Sequence, residues 1–189
     1  EKLVENVTKL LKEDKLTQTD SEGKTVLDNL TEMKDQKAPE ELAEKKSEIV
    51  AQVVDNIANP ETINQGDRDT CAAAVVEYKL AKEDAGEYTK IAKELTSKEG
   101  EAGLKSGEVL KRDDGNKEIG DKGCLEDDGS GRKDVSRIMQ SSITEHANQD
   151  KDYVTKKDEV KDNKVEVDKT DKSKDTNINP DGTDDGAGL

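Results

Sequence analysis

Residues 38–60 read "APEELAEKKSEIVAQVVDNIANP". Leu42, Ile49, Val53 and Ile57 recur at helical spacing, and Val50 and Val54 widen the stripe. Pro39 falls where a first helical turn accepts proline, and Glu40 and Glu41 suit the positive end of the helix dipole. Asn59-Pro60 stops the helix. This is the strongest helix in the chain, and a stripe so continuous belongs to a core.

Working outward, "EKLVENVTKLLK" at residues 1–12 places Leu3, Val7, Leu10 and Leu11 on one face, widened by Val4. Asp20, Ser21 and Gly23 read as a turn, followed by a short stripe of Val26, Leu27 and Leu30. Beyond the loop "ETINQGDRD", a helix runs from about Thr70 to Lys82. There Ala72 to Ala74 admit a close neighbour, while Val75, Val76, Tyr78 and Leu80 supply apolar surface. "AGEYTKIAKELTS" is a third helix, with Tyr88, Ile91, Ala92 and Leu95 on one side. Residues 100–131 hold eight of the fourteen glycines and read as loop with a hairpin, "GEVLKRDDG" being an edge strand that ends in a turn. "DVSRIMQSSITEHA" regains helical spacing through Val135, Ile138, Met139 and Ile143. The fold class expected is α+β: predominantly helical over 1–150, with short strands. Residues 151–189 carry 19 charges in 39 positions and read as a disordered tail, with "KVEVD" as a lone strand.

Composition limits what this chain can bury. Leu, Val and Ile total 35 of 189 residues, and Phe and Trp are absent. That places the chain near the boundary at which charged sequences lose a stable core, since large aromatics contribute most burial per residue. The net charge of -15 opposes nucleic acid and anionic membranes and favours basic partners. No stretch reaches the roughly 18 apolar residues of a membrane span. With Cys71, Cys124 and the single histidine His146, the chain lacks the ligands of a Cys/His zinc site. The spacing of Asp175, Asn177 and Asn179 starts like a calcium loop, but Pro180 and Gly186 replace the glycine and glutamate such a loop needs. No cofactor is expected.

The stretch with chemistry is Gln65-Gly66-x-x-x-Thr70-Cys71. Thr70 can cap the helix that Cys71 begins, and a thiol at a helix N-terminus feels the positive end of the dipole. An upstream glutamine amide can donate to a developing oxyanion, and the glycine after it lets the loop fold close. Set against this, a free cysteine is also a common packing residue. Cys124, in "DKGCLEDDG", sits among carboxylates that disfavour its thiolate.

These residues resemble the nucleophile region of papain-like cysteine peptidases. Gln65, Gly66, Thr70 and Cys71 match that family's oxyanion glutamine, the glycine after it, the small hydroxyl residue and the nucleophile. The run through "NQGDRDTCAAAVVEYKLAKEDAGEY" also looks like the corresponding region of large bacterial proteins with a papain-like core. The resemblance implies a partial or complete papain-like fold acting on peptide or amide bonds, with a downstream histidine as base. His146 is the one available, but "SSITEHANQ" reads as a helix end where the family uses a strand, so the competing expectation is a surface histidine, with the base beyond Leu189 or lost and the site then inactive. The family's usual extra cysteine and its aromatic after the nucleophile are missing, with Asp67 to Asp69 and Ala72 in those places. The alternative is a non-catalytic acidic helical interaction module, or a fragment of a larger surface protein, binding a peptide or protein. An artificial or heavily drifted sequence is a third reading. The chain opens at Glu1 rather than Met, which fits a processed or excised piece and leaves localisation undetermined.

Overall fold

The computed structural model describes residues 1–66, 68, 70–114, 123–125, 127 and 129–148, together with the backbone of 152–154, 158–161, 164–167 and 176–178. Seven α-helices appear among them: α1 (Lys2–Lys12), α2 (Val26–Asp35), α3 (Glu40–Ala43), α4 (Lys46–Ala58), α5 (Cys71–Glu83), α6 (Ala85–Thr96) and α7 (Asp134–Asn148). A two-stranded antiparallel hairpin, β1 (Glu101–Gly103) and β2 (Val109–Lys111), follows α6. The expected predominance of helix is present.

Local chemistry sets the helix ends. Thr25 and Asp28 form a reciprocal capping box at the start of α2, each side chain taking the other's backbone N–H. Asp84 ends α5 and at once caps α6, accepting from the Glu87 N–H at 3.1 Å. At the far end of α6, Arg112 donates to the carbonyls of Leu95 and Ser97 at 2.9 and 2.6 Å, using a cation where the helix dipole is negative. The hairpin pairs Ala102 with Leu110, and both side chains point into the core.

The expected helix over 38–58 is present but broken. A turn at Glu44-Lys45 separates α3 from α4. The turn sends Lys45 to Asp134 at 3.2 Å and Lys46 back to the Gln36 carbonyl, so the two cations anchor different elements. Leu42, Ile49, Val53 and Ile57 nevertheless share one buried face. The core joins them to Leu10, Val26, Leu30, Met33, Tyr88, Ile91, Leu95, Val135, Ile138 and Met139. α1 lies on α4, α2 on α6 and α4, and α7 on α4, α5 and α6.

Two expected faces differ. In α1, Leu10 is buried while Leu3, Val4 and Leu11 are exposed. Asn6 is buried instead because its amide donates to Asp55 Oδ1 at 2.9 Å and accepts from Asn59. In α5 the inversion is larger: Ala73, Glu77 and Ala81 face inward, and Val75 and Val76 face out. Of Ala72 to Ala74, only Ala73 is buried on the face where α6 and α7 pack and Ala72 is exposed, and the buried stripe of Ala73 and Ala81 includes a glutamate.

Within 151–189 four short strands are described, as two antiparallel pairs: β3 (Asp152–Val154) with β6 (Thr176–Ile178), and β4 (Asp158–Lys161) with β5 (Lys164–Val167). The strand expected to stand alone in "KVEVD" therefore pairs with the segment before it. The rest of the expected tail, with Asp175, Asn179, Pro180 and Gly186 of the calcium-like spacing, lies outside the described residues.

Candidate functional site

The loop between α4 and α5 delivers Cys71. A 3-10 turn (Pro60–Thr62) leads into it, and Gly66 takes a left-handed backbone with φ of 64°. A Cβ on Gly66 would stand 2.3 Å from the Ser130 carbonyl oxygen, so glycine is required twice over: by its conformation and by the segment packed against it. The Gln65 amide donates to the Arg68 carbonyl at 2.8 Å.

Cys71 is the first residue of α5, and its side chain is exposed. Exposure removes the packing role as its explanation. Cys124 is the reverse case. It is fully buried, its thiol donates to the Asp113 carbonyl at 3.0 Å, and burial followed by the Asp113 charge pushes its pKa far up. Both cysteines are free, so no bridge joins them.

Thr70 does not cap α5 with its side chain. It is 1% exposed, and its hydroxyl points inward to donate to Gln140 Oε1 at 2.8 Å. Gln140, in the middle of α7, is fully buried. Its amide nitrogen donates to Glu77 Oε2 at 2.8 Å and to the Asn64 carbonyl at 2.9 Å. Its oxygen also accepts from Arg132 at 3.2 Å. One glutamine therefore ties the entry loop, the start of α5 and the middle of α5 to α7.

Glu77 anchors the network. Its Oε1 accepts from Ser136 at 2.8 Å, Tyr88 at 3.2 Å and Asn56 at 3.2 Å. Asn56 in turn accepts from Lys133 at 2.7 Å. Complete burial pushes the Glu77 carboxyl pKa up, against the bonds from Gln140, Ser136 and Tyr88 and the charge of Arg132, which hold it down. An acceptor-only carboxylate suits four donors, which is how a glutamate survives in a helix interface. The hydroxyls of Ser141, Ser142 and Thr144 are also buried, each satisfied by the carbonyl one turn back in α7.

His146 occupies the last turn of α7, as a helix end and not a strand. Its Nε2 lies 3.9 Å from Glu108 Oε1 on the hairpin. Among the described residues no hydrogen bond or ion pair links Cys71, Gln65 and His146 to one another. No group of three or more His, Cys, Asp or Glu among the described residues is arranged to hold a metal ion, and no described helix is long and apolar enough to cross a membrane.

The sequence reading did not single out Glu77, Gln140, Ser136 or Asn56. The available signal was the Ala73-x-x-x-Glu77-x-x-x-Ala81 spacing, which puts the glutamate between two small residues on one helix face. No protein family, curated protein or solved structure matches the chain.

Proposed function

We propose that the chain is a papain-like cysteine-peptidase-related domain with Cys71 as its nucleophile. The observation that carries the reading is an exposed thiol at the first residue of a 13-residue helix, six residues after a glutamine whose following glycine is sterically required. Small or acidic side chains would have served a packing helix equally well at that position. The exposed strip of α5 continues from Cys71 to Val75 one turn on, which is apolar surface suited to a substrate side chain.

In this reading Cys71 Sγ attacks the carbonyl carbon of a peptide or amide. The thiol proton passes to His146 and then to the leaving amine, and water releases the acyl group from the thioester. The Gln65 amide, freed from the Arg68 carbonyl, and the Cys71 N–H hold the oxyanion. Glu108 is the carboxylate available to orient the His146 ring. The test is hydrolysis of a labelled unfolded protein by the wild type, Cys71→Ala, Cys124→Ser and His146→Ala. Loss in Cys71→Ala with activity kept in Cys124→Ser supports the reading. Hydrolysis unchanged in Cys71→Ala would sink it, and loss in His146→Ala would assign the base.

A second reading is a non-catalytic helical interaction module. The placement of His146 beside Glu108, with no bond to Cys71, favours it, as do Val75 and Val76, 59% and 49% exposed on α5. Under this reading Cys71→Ala leaves every activity of the protein untouched, while Val75→Asp weakens binding of its peptide or protein partner.

A further inference from the structure

We propose that Gln140, held by Glu77, is a positioning residue for Cys71, acting through the Thr70 hydroxyl. The proposal rests on the reading of Cys71 as a nucleophile and extends it to residues that do not touch substrate. Thr70 is the residue immediately before Cys71, and its hydroxyl would ordinarily serve the free N–H groups of the helix start. Here it is turned inward at 2.8 Å from Gln140 Oε1. Arg132 reaches the same two atoms, Thr70 Oγ1 at 3.3 Å and Gln140 Oε1 at 3.2 Å.

The amide of Gln140 cannot turn over without cost. Its nitrogen end faces two acceptors, Glu77 Oε2 and the Asn64 carbonyl, and its oxygen end faces two donors. Reversing it would set donor against donor and acceptor against acceptor in a fully buried site. Glu77 is itself fixed by Ser136, Tyr88 and Asn56 from α7, α6 and α4. Three helices therefore define where α5 begins, and so where the exposed thiol stands. A loop residue would leave that position free, and attack geometry is sensitive to small displacements.

The experiment uses the full chain carrying Cys124→Ser, so that only Cys71 is scored. The alkylation rate by iodoacetamide at pH 7 is compared with that of a free thiol, alongside the melting temperature. The variants are Thr70→Val, which keeps shape and removes the donor, and Thr70→Ser, which keeps the donor. Expected is a parent thiol faster than the free thiol. Thr70→Val should slow it by about two- to fivefold, the size of a helix-terminus effect, with Thr70→Ser restoring the parent rate. Should Thr70→Val not fold, Thr70→Ala carries the same test, since it removes the same donor to Gln140. A fast parent thiol left unchanged by Thr70→Val, or by Thr70→Ala, overturns the positioning role and spares the nucleophile reading. A parent thiol no faster than the free thiol overturns both.

Discussion

Replacing Gly86 with alanine sets two local effects of opposite sign against each other. Gly86 lies in the first turn of α6, and alanine is the better helix former by up to about 1 kcal/mol. On propensity alone the variant should be stabilised. The structure reverses the sign. A Cβ at Gly86 would stand 2.5 Å from the Thr19 carbonyl carbon, 2.6 Å from its oxygen and 2.8 Å from the Asp20 nitrogen. Those atoms are backbone, and the segment that holds them is tied down. Asp20 N–H donates to the Lys24 carbonyl at 2.9 Å, and the Asp20 carboxylate accepts from the Glu22 and Lys24 N–H groups and from Asn29 at 2.7 Å. The Ser21 N–H is held by Glu87 at 3.0 Å, on α6 itself. Overpacking of about 1–3 kcal/mol, toward its upper end because the loop cannot yield, exceeds the propensity gain. A net loss of about 2 kcal/mol lowers the melting temperature by about 4–8 °C in a chain of this size. Thermal unfolding followed by circular dichroism is the assay. Gly103→Ala is the internal control, because its Cβ would meet nothing within 4 Å. A Gly86→Ala melting temperature equal to or above the wild type would refute the argument.

Four further outcomes are expected. Ellman's reagent should titrate one thiol in the native protein and two after denaturation, because Cys71 is exposed and Cys124 is buried; two fast native thiols would contradict the burial. Burial alone pushes Asp55 up, but bonds from Lys133, Lys2, Asn59 and Asn6 outweigh it and lower its pKa, so its stabilisation is complete above about pH 4 and is lost as pH falls below it. Asp55→Asn should therefore show a flatter loss of stability in acid than the wild type, measured by urea unfolding across that range. Glu77 has the opposite sign: burial raises its pKa, so its contribution is full below the ordinary carboxylate range and declines as pH rises through the folded value, and Glu77→Gln should remove that decline. α7 is held by partners 59 and 89 residues earlier, Glu77 for Ser136 and Lys45 for Asp134, so in pulse-labelled refolding its amides should gain protection after those of α2 and α4; simultaneous protection would show that α7 docks with the rest.

What could be read from the residues follows their periodicity. Leu42, Ile49, Val53 and Ile57, and Tyr88, Ile91, Ala92 and Leu95, are buried as their spacing predicts, because each stripe is apolar throughout. The buried face of α5 is not legible in the sequence because periodicity counts apolar residues and cannot see hydrogen-bond partners 63 residues away, such as Gln140 for Glu77. The burial of Asn6 in α1 is hidden for the same reason, with its partner Asp55 49 residues on. The break at Glu44-Lys45 carries no proline or glycine, and it coincides with the bonds of Lys45 to Asp134 and of Lys46 to the Gln36 carbonyl. Of the candidate site, the helix start at Cys71 and its glycine-bearing loop follow from local sequence, while the exposure of the thiol does not, since a cysteine there packs inward as readily. The inward turn of Thr70 does not, since a threonine before a helix is ordinarily read as its cap.

The buried glutamate also bears on the order in which the chain is made. Ser136 and Gln140, which supply two of the donors to Glu77, lie 59 and 63 residues beyond it. A ribosome finishes α4, α5 and α6 well before it reaches α7. During that interval the open face of α5 shows a solvated carboxylate between Ala73 and Ala81, where a leucine would leave a greasy ridge. The half-built protein thereby shows a polar group where an apolar one would invite contacts, and Glu77 meets its full set of donors only when the helix that begins at Asp134 arrives.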